Sequence, residues 1–263
     1  MFLKALTRVL LTIFLFSALP CVASDDKREA EFATDIQTTL RIGHAVWLES
    51  SGKKFLSLYT DTAKNQRSGV VILLHDTGGH PNHQAIIISL RTFFPEHHWA
   101  TLSLQMPIRE ASAPVQDYFS LIPEAKARLH AGIQFAKTEK AEKIVVIGYG
   151  LGGLMASAAM TEKTEDVNAL ITISLPVPET SEINAQTLQI IPKITLPMLD
   201  IYGALDIPNV VNSARERQVV GKINPNYRQV KLDDEGHFYL HDEGLLVKRI
   251  YSWIDKVTEN SAH

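Results

Sequence analysis

The chain has 263 residues, of which 45% are hydrophobic, and it carries 26 Lys and Arg against 29 Asp and Glu. This length and composition are typical of one folded domain and exclude a disordered or repetitive chain. A net charge of −3 lacks the basic excess of a nucleic-acid-binding surface, so we expect no nucleic-acid partner.

The first 24 residues have the pattern of a secretory signal peptide. Lys4 and Arg8 precede an apolar run at 9–19, and small residues precede a predicted cleavage site near Ser24. An uncleaved anchor is the alternative, but a bilayer span needs about 20 apolar residues. We therefore expect a periplasmic domain at 25–263 without a stable membrane anchor, with a net charge of −5 once Lys4 and Arg8 are removed. The single cysteine, Cys21, lies in the signal segment, which leaves no disulfide.

Strand and helix patterns alternate along the rest of the chain. An opening hairpin pairs "AVWLES" with "FLSLYT" through Ser51 and Gly52. Apolar runs predict strands at 70–74, 99–104, 144–147, 170–175, 198–202 and 228–232. Helical periodicity predicts helices at 84–94, 122–137, 151–160, 209–220 and 243–257. Such alternation favours an α/β fold with a mostly parallel sheet, helices on both faces and an antiparallel hairpin at its start.

The segment "KIVVIGYGLGG" admits two interpretations. Gly148, Gly150 and Gly153 match G-x-G-x-x-G after a strand, the pattern of a dinucleotide-binding turn. That turn normally follows the first strand and precedes an acid by about 20 residues, whereas this one follows about five strands and Glu179 lies nearer 30 residues on. The same letters also match G-x-S-x-G, with Gly150 in the place of serine. Dinucleotide binding stays a minor alternative.

Other residues fit the second interpretation, a nucleophile elbow. Asp206 follows the strand of "PMLDIYGALD" and His237 follows that of "VKLDDEGHF", in the chain order nucleophile, acid, histidine. The strand of "VVILLHDTGG" ends where the backbone amide of Thr77 can face that of Leu151 across an oxyanion hole. A catalytic set is therefore predicted at one edge of the sheet, with its nucleophile absent.

These motifs resemble those of the α/β-hydrolase superfamily over nearly all of the chain beyond the signal segment. "LHDTGG" resembles its His-Gly oxyanion motif, "GYGLGG" its elbow, "YGALD" its acid loop and "GH" its histidine loop. More narrowly, "HPNH" and "WATLSLQMP" resemble an exported, uncharacterised bacterial branch of the superfamily. The resemblance implies a central sheet of about eight strands. The stretch between Leu175 and Ile194, where the superfamily inserts a lid, is about 20 residues long, which implies a minimal lid and an open pocket.

Two departures from the superfamily pattern bear on function. Asp76 stands where a glycine normally follows His75, and Gly150 stands at the nucleophile position. Without a side chain at Gly150 no acyl-enzyme can form there. The leading hypothesis is a catalytically degenerate periplasmic protein that binds an unknown small molecule or protein. The alternative is a hydrolase or lyase that uses His237 with Asp206 as a base and the backbone oxyanion hole.

Further candidate residues are less specific. We expect His75 and Tyr149 to contact a substrate, and the glycines around Gly150 to permit a tight turn. A metal site is an alternative use of "HDTGGHPNH", although its glycines and proline equally suit a surface turn, and we expect neither metal nor cofactor. Ser103 is considered as a substitute nucleophile. Asp200, in the middle of a strand, needs a buried hydrogen-bond partner.

Overall fold

The computed structural model describes residues 24–64, 66–83, 86–162 and 165–259. Except for Ser24, the predicted signal segment lies outside the described residues. The strands are β1 (His44–Ser50), β2 (Lys53–Thr60), β3 (Gly69–Leu74), β4 (Trp99–Leu104), β5 (Ile144–Tyr149), β6 (Ala169–Ile173), β7 (Met198–Leu205) and β8 (Tyr227–Gly236). The helices are α1 (Asp26–Thr39), α2 (Ile86–Glu96), α3 (Ile122–Thr138), α4 (Leu151–Ala159), α5 (Thr187–Ile190), α6 (Pro208–Val211), α7 (Ala214–Gly221) and α8 (Glu243–Glu259).

All eight strands form one sheet in the order β1-β2-β4-β3-β5-β6-β7-β8. β2 pairs antiparallel with β1 and β4, and every other pair is parallel. The predicted hairpin is confirmed, and its turn residues Ser51 and Gly52 both have positive φ, as a two-residue hairpin turn with the sheet's twist requires. The predicted mostly parallel sheet with an antiparallel start is also confirmed.

The core has two layers because alternate residues of each central strand point to opposite faces of the sheet. Ile72 of β3 packs with Leu129 of α3 and the α4 side chains on one face. Leu73 packs with Leu90 of α2 and Ile250 of α8 on the other face. The sheet is therefore covered on both sides, and its polar functional residues can lie only beyond the strand ends.

Several predicted element boundaries differ from the structure; β6, for example, ends at Ile173 instead of at 175, and β7 continues to Leu205 instead of ending at 202. The helix expected at 84–94 runs from Ile86 to Glu96, and its first two predicted positions lie outside the described residues. The helix expected at 209–220 is divided into α6 and α7. At the junction the ψ of Ser213 is −2°, and its hydroxyl donates to the carbonyl of Asn209. The last strand continues past its predicted end to Gly236, which pairs with Leu205 beyond a bulge.

The N-terminal helix α1 is absent from the sequence prediction. It buries only two apolar side chains, Ala33 and Ile36, and so shows little apolar periodicity. These two side chains pack on Leu56 and Leu58 of β2, and Arg128 of α3 adds a buried ion pair with Glu29 at 2.8 Å. None of the helices in the described ranges is both long and apolar enough to span a membrane.

Candidate functional site

The β5–α4 junction is a sharp turn at Gly150, with φ of 55° and ψ of −121°. Two positions away on either side, Gly148 and Gly152 must be glycines because a side chain would have no room. A Cβ on Gly148 would lie 2.6 Å from the Cα of Gly153, and a Cβ on Gly152 would lie 2.6 Å from the carbonyl oxygen of Leu74. The predicted role of these glycines in the close packing of strand and helix is confirmed.

The side chain of Asp76 fills the space beside Gly150. A Cβ built on Gly150 would lie 2.5 Å from Asp76 Oδ2 and closer still to Cγ and Oδ1 of the same carboxylate. The backbone amide of Leu151 donates to Oδ1 at 2.7 Å, and Nε2 of His237 lies 3.0 Å from Oδ2. A carboxylate from the end of β3 therefore occupies the position that a nucleophile and its oxyanion would share.

The predicted acid and histidine are brought together at the same edge of the sheet. Nδ1 of His237 lies 2.7 Å from Asp206 Oδ1, which also accepts from the backbone amide of Ile207. The Ser174 hydroxyl donates to Asp206 Oδ2, and the Tyr239 hydroxyl lies 2.9 Å from that of Ser174. These contacts orient the Asp206 carboxylate and, through it, the imidazole ring.

The charges at the site form a carboxylate–imidazolium–carboxylate chain. Burial opposes the positive charge on His237, but its hydrogen bonds to Asp206 and Asp76 outweigh burial and raise its pKa to about 9. Burial also works against the charge on Asp76, yet His237 and the backbone amides of Leu151 and Thr77 hold the pKa of this carboxyl below its usual value. At neutral pH the imidazole therefore holds its proton between two ionised carboxylates.

The two backbone amides predicted to form the oxyanion hole both interact with a side chain of the protein itself, the Asp76 carboxylate. The amide of Leu151 donates to Asp76, and the amide of Thr77 stabilises the same carboxylate. Sequence reasoning had identified Asp76 only as a departure from a glycine. The sequence contained a signal for this arrangement, because it departs from the superfamily pattern at two positions at once. Asp76 gains a side chain after His75, and that side chain fills the space of the one lost at Gly150.

His75 and Tyr149 lie beneath the site as supports. His75 is only 2% exposed, and its Nε2 accepts from the backbone amide of Met106 at 2.9 Å. Burial lowers its pKa to about 3, so the ring is neutral. The Tyr149 hydroxyl donates to the carbonyl of His237 at 3.0 Å, and the two rings lie 5.1 Å apart. Both residues position the Asp76 and His237 loops.

The space beside the carboxylate is small. The crevice that borders Asp76 is too narrow to admit a water molecule, and Met106, Tyr118 and Met155 are among the residues that line it. The stretch where a lid would be inserted folds into short helical turns whose Ile190 and Ile191 are buried in the core. The open pocket expected from the sequence stays a prediction.

The remaining candidates lie elsewhere. Ser103 is fully buried within β4. Asp200 has the buried partner that its position requires, since Arg217 Nε lies 2.8 Å from its Oδ2, which also accepts from Tyr227 and Gln229. Across the ranges that the structure describes, no three histidine, cysteine or acidic side chains are grouped closely enough to hold a metal.

Solved structures of low sequence identity share this fold. Est1E from Butyrivibrio proteoclasticus matches with a TM-score of 0.64 and 18% identity over 81% of this chain and 98% of its own. The esterase Pf2001 from Pyrococcus furiosus gives 0.66 and 17% over 81% and 89%. XC6422 from Xanthomonas campestris, described as an α/β serine hydrolase without a lid, gives 0.62 and 14% over 82% and 94%. At such identities the likeness shows the fold alone, which is that of the α/β hydrolases.

Comparison at the level of sequence finds one family and no characterised relative. No curated protein matches the chain significantly. A family profile described as "Protein of unknown function (DUF3530)" matches residues 20–127 and 122–256, which is most of the chain. The chain therefore belongs to the DUF3530 family.

Proposed function

We propose that this chain is an exported protein of the periplasm that has lost serine-nucleophile chemistry and acts as a binding or accessory protein. One observation carries the proposal, the Asp76 carboxylate that lies against Gly150 and is bound by Leu151 and His237. In a serine hydrolase the same positions hold the serine oxygen and the developing oxyanion. Here they are occupied by a permanent negative charge.

The alternative of a hydrolase or lyase based on His237 and Asp206 is supported less well. A general base must be free of its proton near the working pH, and the two carboxylates raise the pKa of His237 to about 9. An oxyanion hole must have free donors, and the amide of Leu151 donates to Asp76 at 2.7 Å. Catalysis by this route would need Asp76 to leave the site first.

Dinucleotide binding through Gly148, Gly150 and Gly153 is also disfavoured. A pyrophosphate would bind at the N-terminus of α4, where the amide of Leu151 points. The Asp76 carboxylate already lies there and would repel a phosphate. The absence of a thermal shift with NAD(H) is the expected result, and a clear shift would reinstate this alternative.

Ester turnover tests the proposal directly. The exported protein and its His237→Ala variant are to be compared on nitrophenyl esters of two to twelve carbons. Both should hydrolyse them at the same background rate. Turnover that the native protein shows and His237→Ala loses would overturn the proposal in favour of the enzyme alternative.

Export has its own test. Cell fractionation with N-terminal sequencing should find a periplasmic protein that begins at or near residue 25. A full-length chain retained in the cytoplasm or the membrane would contradict this part of the proposal.

A further inference from the structure

One sizeable cavity lies away from the carboxylate–imidazolium site. It is a groove of about 450 Å³ between the edge strand β8 and helix α8. Arg228 lines the groove and precedes Gly236 by eight positions along β8. At the usual rise per strand residue, the groove is therefore roughly 25 Å from the end of β8 that carries His237. Ligand sites in proteins commonly have volumes of about 300–1,000 Å³.

The floor of the groove is apolar. Val230 of β8 and Trp253 and Val257 of α8 line it, together with side chains from the neighbouring strand β7. All three are only partly buried, so apolar surface stays accessible to a ligand. Trp253 adds a flat aromatic face, which accommodates an alkyl chain or a ring at little entropic cost.

The rim of the groove is cationic. Arg228 comes from the strand, while Arg249 and Lys256 come from the helix, and all three side chains are exposed. Among the side chains that the structure describes, no acidic one lines the groove and no ion pair includes any of these three cations. The chain as a whole has a net charge of −3, so the positive charge of this rim is opposite in sign to that of the chain.

We propose that the β8–α8 groove binds a soluble anionic amphiphile, a molecule with one carboxylate or similar anionic head and one apolar chain. The chain would lie on Val230 and Trp253, and the head would pair with Arg228 and Lys256 from opposite walls. Apolar contact supplies the affinity for the chain, and the cations select the head. The site is independent of Asp76 and goes beyond the proposed loss of serine chemistry.

Calorimetric titration of the exported protein with dodecanoate, kept below its micellar concentration, tests the proposal. Acetate supplies the head alone and 1-dodecanol the chain alone. Dodecanoate should bind at least about tenfold more tightly than either, and added salt should weaken it because exposed charges are screened. Equal binding of dodecanol and dodecanoate, or no binding of dodecanoate, would overturn the proposal.

Two double variants with the same loss of charge locate the site. Arg228→Ala/Lys256→Ala should weaken dodecanoate binding about three- to tenfold. Arg215→Ala/Lys248→Ala removes one exposed arginine and one exposed lysine that do not line the groove, and it should bind as the native protein does. Equal weakening in both variants would indicate a general charge effect and refute the groove as the site.

Co-sedimentation with phosphatidylglycerol vesicles separates the soluble ligand from a membrane surface. We expect dodecanoate to bind and vesicles not to. Vesicle binding without dodecanoate binding would replace the proposal with a lipid-surface function. The ester assay reads a different site, so its outcome neither supports nor damages this proposal.

Discussion

Restoring a serine at the elbow should fail unless Asp76 is removed at the same time. In Gly150→Ser the new Cβ would lie 2.5 Å from Asp76 Oδ2 and closer to Cγ, so the carboxylate must move. It would leave its hydrogen bonds to Leu151 and His237, which cost about 1.5–3 kcal/mol each for a charged group. The φ of 55° adds about 1–3 kcal/mol for any residue other than glycine.

The double variant Gly150→Ser/Asp76→Gly removes the obstruction. Asp76→Gly alone loses the bonds of the carboxylate, and Gly150→Ser alone loses the same bonds by displacement. The double variant loses them only once. Its free energy of unfolding should therefore exceed the additive expectation by about 3 kcal/mol, the low end for the two bonds together and the upper end of couplings between residues in contact. For a domain of this size that corresponds to a melting temperature about 6–12 °C above additivity.

Esterase activity should likewise require both substitutions. In the double variant the serine hydroxyl would lie where Asp76 Oδ2 lies now, within reach of His237 Nε2, and the amide of Leu151 would be free for an oxyanion. Nitrophenyl acetate should be hydrolysed by this variant and by neither single variant. Urea unfolding of all four proteins measures the coupling.

Two controls make the result decisive. Adding His237→Ala to the double variant should abolish its turnover, which excludes a contaminating esterase. Additive destabilisation, or equal activity in Gly150→Ser alone and in the double variant, would show that Asp76 does not obstruct the elbow and would refute the reasoning.

Other substitutions test the surrounding charges. Because the pKa of His237 is raised from 6.5 to about 9, its contribution of roughly 3 kcal/mol is complete below about pH 6.5 and lost as pH rises through 9. Asp76→Asn should lower that pKa and shrink the loss, as measured by NMR titration of the ring and by urea unfolding at pH 6 and 9.5; an unchanged pKa would contradict the carboxylate–imidazolium chain. Arg217→Met should cost about 3–5 kcal/mol by leaving Asp200 buried without its cation, and a loss below 1 kcal/mol in urea unfolding would contradict this. Tyr149→Phe should cost about 0.5–1.5 kcal/mol and leave the Asp200 region unchanged in NMR spectra, whereas no loss would show that its hydroxyl is not needed to hold the His237 loop.

Most of the fold follows from local patterns in the chain. Apolar runs of five or six residues favour strands inside a sheet covered on both faces, and glycines at 148 and 152 are required where α4 packs against β5 and β3. Because parallel strands end at one edge, the chain order also predicted that Asp206 and His237 would meet there. The helix α1 escaped prediction because a small apolar contact with β2 and a buried ion pair hold it, and neither produces a long periodic apolar face.

What the sequence by itself determined is therefore the sheet, its polar edge and the absence of a side chain at Gly150. Only the tertiary structure decided what takes the place of that side chain. Asp76 and Gly150 are 74 positions apart, and a carboxylate at one can fill the space left at the other only because β3 and β5 are neighbours in register. The same packing places the amide of Leu151 and the ring of His237 on this carboxylate and so converts a missing nucleophile into an occupied site. Such an exchange of volume between distant residues has no local signal, since it depends on distances that exist only after folding.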